Sequence, residues 1–458
     1  PKPVIAALHG VAMGGGFELA LACHYRVAAP GTQLALPEVK LGIMPGAGGT
    51  QRLPRALGYE RALDFILSGR TVKAEQFKGT PVIDEILDGD LEQGAVAFAE
   101  RITAGKGPHR LLRDITPQLD DPAGFFAAAR AKVAKEQRGY PAPPKIIDAV
   151  EASLKLGVDE GMKYERRCFE ELLLTTESKA LRHAFFGERV VSKVPGLADD
   201  VKTLDVRSVG VIGSGLMGSG IAMAFADAGI PSHLMDAKPE ALERGLNNIR
   251  TNYANMVSRG RLRQEDMDKR IALIRATSTW EDLAQDDLVI EAVFEDMQVK
   301  KDVLQRMDAV ARPGAILASN TSSLDLDELA ATTSRPADVI GAHFFSPANV
   351  MRLLEVVRGK KTSKEVLAST LKLSKTLKKL AVVSGVCDGF IGNRILAVYR
   401  TAADHLMEDG ASPFEIDAMV KAFGFPMGPY EMSDLAGVDI GWATRKRRAA
   451  TQIGRAHV

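Results

Sequence analysis

A chain of 458 residues has material for about three domains with sizeable cores, and 46% hydrophobic with 26% charged residues is an ordinary globular composition. A formal net charge of +1 provides no global field to recruit nucleic acid or an anionic membrane, and no uninterrupted apolar run approaches the ~18 residues of a spanning helix. Cys23, Cys168 and Cys387 lie too far apart for a disulfide framework or a metal knuckle, so each reads as a reduced core side chain in a reducing compartment.

The first residue is Pro1, already inside a strand-like apolar run that reaches Leu8. Both ends of the chain are expected to be cut, which leaves targeting signals unobservable. A triple-glycine turn, Gly14 to Gly16, opens an apolar helix. Glycines at a helix start leave backbone N–H groups facing an anion, and Glu18 in the first turn suits the macrodipole. A Gly/Pro-rich loop from Leu36 to Leu53 carries Glu38. Helices follow over 56–140, including Tyr59 to Leu67 and Leu91 to Thr103, around a strand from Val82 to Ile86. Gly139 to Pro144 breaks the pattern. Helical apolar spacing resumes from Lys145 to Phe186, where His183, Phe185 and Phe186 read as packing residues, and Val194 to Asp200 makes a linker.

Residues 206–236 are the most informative stretch. A Val/Ile-rich strand leads to Gly213, Gly215 and Gly218 at GxGxxG spacing, an Ala/Met/Phe helix runs to Ala228 before Gly229, and a strand from Ser232 to Met235 ends at Asp236. In that context the first glycine permits a tight turn, the second admits a pyrophosphate, and the third packs helix on strand. Asp236 is placed to accept the ribose 2′-hydroxyl of NAD and to repel the extra phosphate of NADP.

A polar stretch to Arg270 then reads as an exposed helical hairpin. Strands return at Asp287 to Val293 and Ala315 to Asn320, separated by helical runs, which predicts a parallel doubly wound sheet. Functional residues in such sheets gather at strand carboxyl ends, and these ends carry Glu295, Asn320, Ser322 and His343. Imidazole is the natural base for oxidising an alcohol near neutral pH, and a paired acid fixes its tautomer. A turn at Pro347 to Asn349 would bring Glu355 back beside His343. The chain turns helical from Cys387. Arg445 to Arg448 reads as a solvated helix face, and Ile453 to Val458 can be back-translated into a sequence that resembles the start of a sequencing adapter, so that tail is expected to be foreign. The same tail in an intact genomic copy would overturn that reading.

The strings around Glu18 and Glu38, GGGFE and PEVKLGIMPGAGGTQRL, resemble the crotonase (enoyl-CoA hydratase/isomerase) family. The resemblance implies that the Gly15 N–H is one oxyanion donor for a thioester enolate and that Glu18 and Glu38 hold the water that adds to the double bond. It also places the second oxyanion N–H upstream of residue 1, which implies an incomplete hydratase site in this chain. Ser178 to Arg189 resembles the linking helix of multifunctional fatty-acid oxidation proteins.

The string from Ile340 to Val357, with Ser319 to Ser323 and Asp388 to Arg394, resembles 3-hydroxyacyl-CoA dehydrogenases. That implies His343 as general base, Glu355 orienting it, Ser322 and Asn393 on the reacting oxygen, and Glu295 and Asn320 along NAD with Leu216 and Met217. The expected architecture is α/β. It comprises a crotonase-like ββα domain at 1–140, linking helices at 141–202, a Rossmann NAD-binding domain at 203–386 and a partial all-α domain at 387–458. The expected function is β-oxidation: hydration of a 2-enoyl-CoA, then NAD-dependent oxidation of the (S)-3-hydroxyacyl-CoA, with coenzyme A carried on the substrate. Two alternatives stand beside it, a dehydrogenase with an inactive crotonase remnant and a non-catalytic NAD- or CoA-binding fragment. A thiolase subunit and a homodimer are the expected partners, without nucleic acid or integral membrane segment, in a bacterial-like cytoplasm.

Overall fold

The computed structural model describes residues 2–105, 109–191, 193–436 and 442, and the chain divides into two compact units, 1–187 and 188–458. The basic run Arg445 to Arg448 and the tail from Ile453 lie outside the described residues.

The first unit contains β1 (Ile5–Leu8), β2 (Val11–Met13), α1 (Gly15–Ala22), β3 (Tyr25–Ala28), β4 (Gln33–Ala35), α2 (Gly49–Leu57), α3 (Tyr59–Ser68), β5 (Val72–Lys73) and β6 (Glu85–Ile86). The helices α4 (Leu91–Ala104), α5 (Pro122–Glu136), α6 (Ala142–Lys155) and α7 (Val158–Leu173) follow, and α8 (Thr176–Val190) runs out of the unit. The strands form two small sheets, β1-β3-β6 and β2-β4-β5. Helix α1 is apolar nearly all round and buries Phe17, Ala20 and Leu21, as a core helix must. Its C-terminal end is pinned by the buried Arg26, whose Nη1 donates to the carbonyls of Ala20 and Cys23 at 3.1 and 2.7 Å. The Pro-rich stretch expected to break the helical pattern is the start of α6: Pro143 and Pro144 lie in its first turn, where a missing N–H costs nothing. Ile146, Ile147 and Val150 of α6 and Cys168 and Leu172 of α7 bury into the same core as α1, so these helices are structural parts of the first unit.

The second unit is built on a single eight-stranded sheet among the described residues. Its elements begin with β7 (Val209–Ile212), α9 (Leu216–Asp227), β8 (Ser232–Met235), α10 (Pro239–Ser258), α11 (Gln264–Ala272), β9 (Ile274–Thr277), β10 (Leu288–Glu291) and α12 (Met297–Val310). They continue through β11 (Ile316–Ser319), α13 (Leu326–Ala330), β12 (Val339–Phe344), β13 (Leu353–Arg358), α14 (Lys364–Thr376) and β14 (Leu380–Gly385) to α15 (Gly392–Glu408), α16 (Pro413–Phe423) and α17 (Pro429–Ala436). The strand order is β14-β13-β12-β11-β10-β7-β8-β9, with only the β12–β13 pair antiparallel. From β7 the chain builds outward to β8 and β9, then crosses back to β10. The crevice at the carboxyl ends of β7 and β10 is therefore the topological switch point where ligands bind in such sheets. Strands β7, β10, β11 and β12 are buried along their whole length, which accounts for their continuous apolar runs. The edge strands β9 and β14 were not anticipated; Ile274-Arg-Ala-Thr277 is polar, and both edges lack the buried run that marks the centre. The expected exposed hairpin is only partly so, since α10 buries Gly245, Ile249 and Tyr253. Among the described residues no helix is long and apolar enough to cross a membrane.

Candidate active sites

The three glycines after β7 do what their spacing asks of them. Gly213 has φ of +98°, and a Cβ there would lie 2.6 Å from the Ala292 carbonyl oxygen across the switch point. At Gly215, the N-cap of α9, a Cβ would meet nothing within 4 Å, which leaves the backbone open to a ligand. At Gly218 it would lie 1.7 Å from the Gly213 carbonyl oxygen, so only glycine lets α9 start here. Leu216 is exposed and Met217 half-buried beside this opening. Asp236 lies at the end of β8 and shapes the same turn, accepting from Ser214 N and Oγ at 2.9 and 2.8 Å through Oδ2 and from Lys238 N at 3.1 Å through Oδ1. Although burial opposes ionisation, those N–H and O–H donors hold its carboxyl below the usual range. An open backbone cradle at a helix N-terminus beside an anionic acceptor fits a dinucleotide.

On the far side of the switch point, β12 and β13 pair with His343 opposite Glu355. Directly opposed residues project to the same face, and here His343 Nδ1 meets Glu355 Oε2 at 2.7 Å with both side chains buried. Glu355 Oε1 accepts from the N–H groups of Ile391 and Gly392 at 3.1 and 2.7 Å, at the N-terminus of α15. Burial pushes this carboxyl up, but the imidazole and the Gly392 N–H outweigh it and hold the carboxyl below its ordinary range. Phe345 and Phe390 flank the imidazole with ring centroids at 4.5 and 5.7 Å. Asn393 follows Gly392 in the first turn of α15.

Glu295 Oε1 gathers Thr321 Oγ1, Ser322 N and Ser322 Oγ at 2.7, 2.8 and 3.0 Å, so Ser322 is tied to Glu295. Asn320 accepts from Phe344 N at 2.8 Å and locks the end of β12 to that of β11. Two residues here escaped the sequence reading. Lys300 of α12 is fully buried and contacts Glu291 at the end of β10 at 2.7 and 2.9 Å, with Glu295 Oε2 at 3.4 Å. A lone acid closing an apolar strand was the available signal for Glu291; nothing distinguished Lys300 from the other cations of a polar helix.

In the first unit, Glu18 is 3% exposed and its Oε1 accepts from Ala47 and Gly49 N–H at 2.9 and 2.7 Å. Glu38 opens a 3-10 turn, is 8% exposed and lies against the glycine turn, 3.0 Å from where a Gly14 Cβ would be. Its Oε2 is buried without a hydrogen-bond partner, and burial, reinforced by Glu18 and Glu165, pushes its carboxyl up to about 7. Gly15 begins α1, and a Cβ there would face open space. Glu165 of α7, also unforeseen, accepts from Gly48 and Thr50 in the same loop. A long-range contact from a charged helix leaves no local mark.

Three family models match: enoyl-CoA hydratase/isomerase over residues 1–124, 3-hydroxyacyl-CoA dehydrogenase NAD binding domain over 208–387, and 3-hydroxyacyl-CoA dehydrogenase C-terminal domain over 389–457. The chain is 42% identical over 455 residues to the peroxisomal bifunctional enzyme of Cavia porcellus, covering 98% of this chain and 62% of that protein. It is 41% identical to the peroxisomal bifunctional enzyme of Homo sapiens, covering 98% and 63%. The chain thus spans less than two thirds of these relatives. Among solved structures, (S)-3-hydroxybutyryl-CoA dehydrogenase from Ralstonia eutropha aligns with a TM-score of 0.50 at 35% identity, over 52% of this chain and 85% of that one. These findings overturn the bacterial-like cytoplasmic expectation, because the matched full-length relatives are peroxisomal. Compartment is a receptor-read address separate from core packing, so composition could not supply it. The chain belongs to the 3-hydroxyacyl-CoA dehydrogenase family, its NAD-binding domain at residues 208–387 and its C-terminal domain at 389–457, preceded at 1–124 by a region that matches the enoyl-CoA hydratase/isomerase model.

Proposed function

We propose that the first unit adds water to a 2-enoyl-CoA and that the second oxidises the resulting (S)-3-hydroxyacyl-CoA to the 3-ketoacyl-CoA. The observation that carries the oxidation is the buried His343–Glu355 pair at 2.7 Å beside the glycine crevice's sheet. Bound over the glycine turn, NAD supplies the hydride acceptor. His343 Nε2, opposite the nitrogen held by Glu355, takes the hydroxyl proton, and Glu355 stabilises the imidazolium that forms. Ser322 Oγ donates to Glu295 at 3.0 Å, and when substrate binds, that O–H turns to donate to the reacting oxygen, with Asn393 as the second polar contact.

Hydration needs one acid and one base. The raised Glu38 carboxyl keeps its proton and delivers it to the α carbon. Glu18, acceptor of two N–H groups through Oε1, takes a proton from water as the oxygen bonds to the β carbon. The Gly15 N–H supports the enolate oxygen. We assign hydration to 1–140, with the linking helices of 141–202 contributing α6 and α7 to the same core, NAD binding to 203–386 and a helical domain to 387–458. A peroxisomal compartment follows the named relatives. Self-association is supported by Phe414 and Phe423, 83% and 84% exposed, while a thiolase partner rests on the family resemblance.

Three assays on the purified chain test the reading: hydration of crotonyl-CoA without NAD, NADH formation from 3-hydroxybutyryl-CoA, and NAD binding. Both turnovers are expected. Oxidation without hydration would leave a dehydrogenase beside an inactive crotonase remnant, and NAD binding without turnover would overturn the enzymatic reading.

A further inference from the structure

Four consecutive N–H groups leading into α2 are shared alternately between two carboxylates. Ala47 and Gly49 donate to Glu18, at 2.9 and 2.7 Å. Gly48 and Thr50 donate to Glu165, at 2.6 and 2.9 Å. Thr50 Oγ1 adds a third bond to Glu165 and itself accepts from Gln51 Nε2 at 2.9 Å, which also reaches the Ala149 carbonyl. The leading N–H groups of a helix lack intrahelical acceptors and carry the positive end of the macrodipole, so anions are favoured there. Capping alone would be met by a Ser, Thr or Asp in the loop. Here it comes from an acid 115 positions away in sequence and 1% exposed, the costly choice of a buried charge.

That arrangement has a consequence for Glu18. Its Oε1 direction is set by the Ala47 and Gly49 amides, and the peptides between them cannot turn while Gly48 and Thr50 are held. We propose that Glu165 is a positioning residue for the hydration site, fixing Glu18 through the Ala47–Thr50 amides. This rests on the hydration reading above. Glu38 feels both Glu18 and Glu165, each of which adds to the upward push of burial on its carboxyl. Burial likewise pushes Glu165 up to about 7, against the pull of Thr50. Arg52 of α2 faces the same loop, but its guanidinium donates to the Ala47 carbonyl at 2.7 Å and lies 3.7 Å from Met162 Sδ. The orphaned Glu38 Oε2 is the polar atom that a substrate water would satisfy.

Glu165→Gln keeps the volume, removes the charge and sets an NH₂ against N–H donors. With crotonyl-CoA, kcat for hydration is expected to fall about 10–100-fold while KM changes less than about threefold. NADH formation from 3-hydroxybutyryl-CoA by the same chain should be unchanged. If the wild type hydrates crotonyl-CoA, unchanged kcat in Glu165→Gln overturns the proposal. A wild type that does not hydrate overturns the hydration reading instead. Should Glu165→Gln unfold the first unit, Thr50→Val carries the test: it loosens the grip on Glu165 without removing the charge. A fall of about threefold or more in kcat at unchanged melting supports positioning, and no fall overturns it.

Discussion

Glu355→Gln would separate the two duties proposed for this carboxylate. In the native arrangement one carboxylate oxygen takes His343 Nδ1 and the other takes the Ile391 and Gly392 N–H groups, so all three partners face an acceptor. An amide has one acceptor and one donor end. If its oxygen stays with α15, its NH₂ faces Nδ1, which must then accept, and the ring proton moves to Nε2, where no base remains. If it turns the other way, two N–H groups at the start of α15 meet an NH₂. The carboxylate is 1% exposed, and it becomes the partner of a buried charge when His343 takes the substrate proton, so removing it costs the developing imidazolium about 3–5 kcal/mol. At about 1.4 kcal/mol per tenfold, kcat for oxidation should fall about 10²–10⁴-fold. Stopped-flow absorbance of NADH, with NAD and 3-hydroxybutyryl-CoA varied in turn, measures it; KM for NAD should stay near wild type because Glu355 is remote in sequence and role from the glycine turn. Oxidation within about threefold of wild type would remove the dyad from the mechanism.

The glycine turn yields a contrast between neighbours. Gly215→Ala meets no atom within 4 Å and should fold with wild-type melting while binding NAD more weakly, whereas Gly218→Ala puts a methyl 1.7 Å from the Gly213 carbonyl oxygen and should lose stability outright; thermal melts and NAD titrations of the pair should diverge, and equal melting temperatures would contradict the packing role. Lys300→Ala strands the wholly buried Glu291 carboxylate and should destabilise the second unit by about 3–5 kcal/mol in urea unfolding. Lys300→Met combined with Glu291→Leu should recover most of that loss; failure to recover would mean that the pair is held for something other than mutual neutralisation.

Much of the candidate dehydrogenase site was legible because its parts are local or periodic. Ser232 to Met235 falls on β8, and Gly229, with φ of +78°, follows the end of α9. The turn inferred between His343 and Glu355 returns β13 in a register that places those residues opposite each other. Ser322 was harder: its neighbour Glu295 was named, yet their hydrogen bond depends on how the ends of β10 and β11 approach. Edge strand β9, Ile274-Arg-Ala-Thr277, leaves no apolar run to mark it, whereas β14 does carry one, Leu380-Ala-Val-Val383, which went unread.

Spacing along the chain marked the elements whose logic is contained in a few turns, the glycine crevice and the acid at Asp236, while the resemblance to 3-hydroxyacyl-CoA dehydrogenases singled out the histidine with its carboxylate. Tertiary packing alone decided which ordinary-looking charges are buried and what they meet, as with Lys300 on Glu291 and Glu165 on the amides of Gly48 and Thr50. The reason is physical. Backbone periodicity reports the face a residue occupies, but a buried charge is tolerated only where distant elements bring an opposite charge or unpaired N–H groups to it, and that meeting exists only in the folded chain.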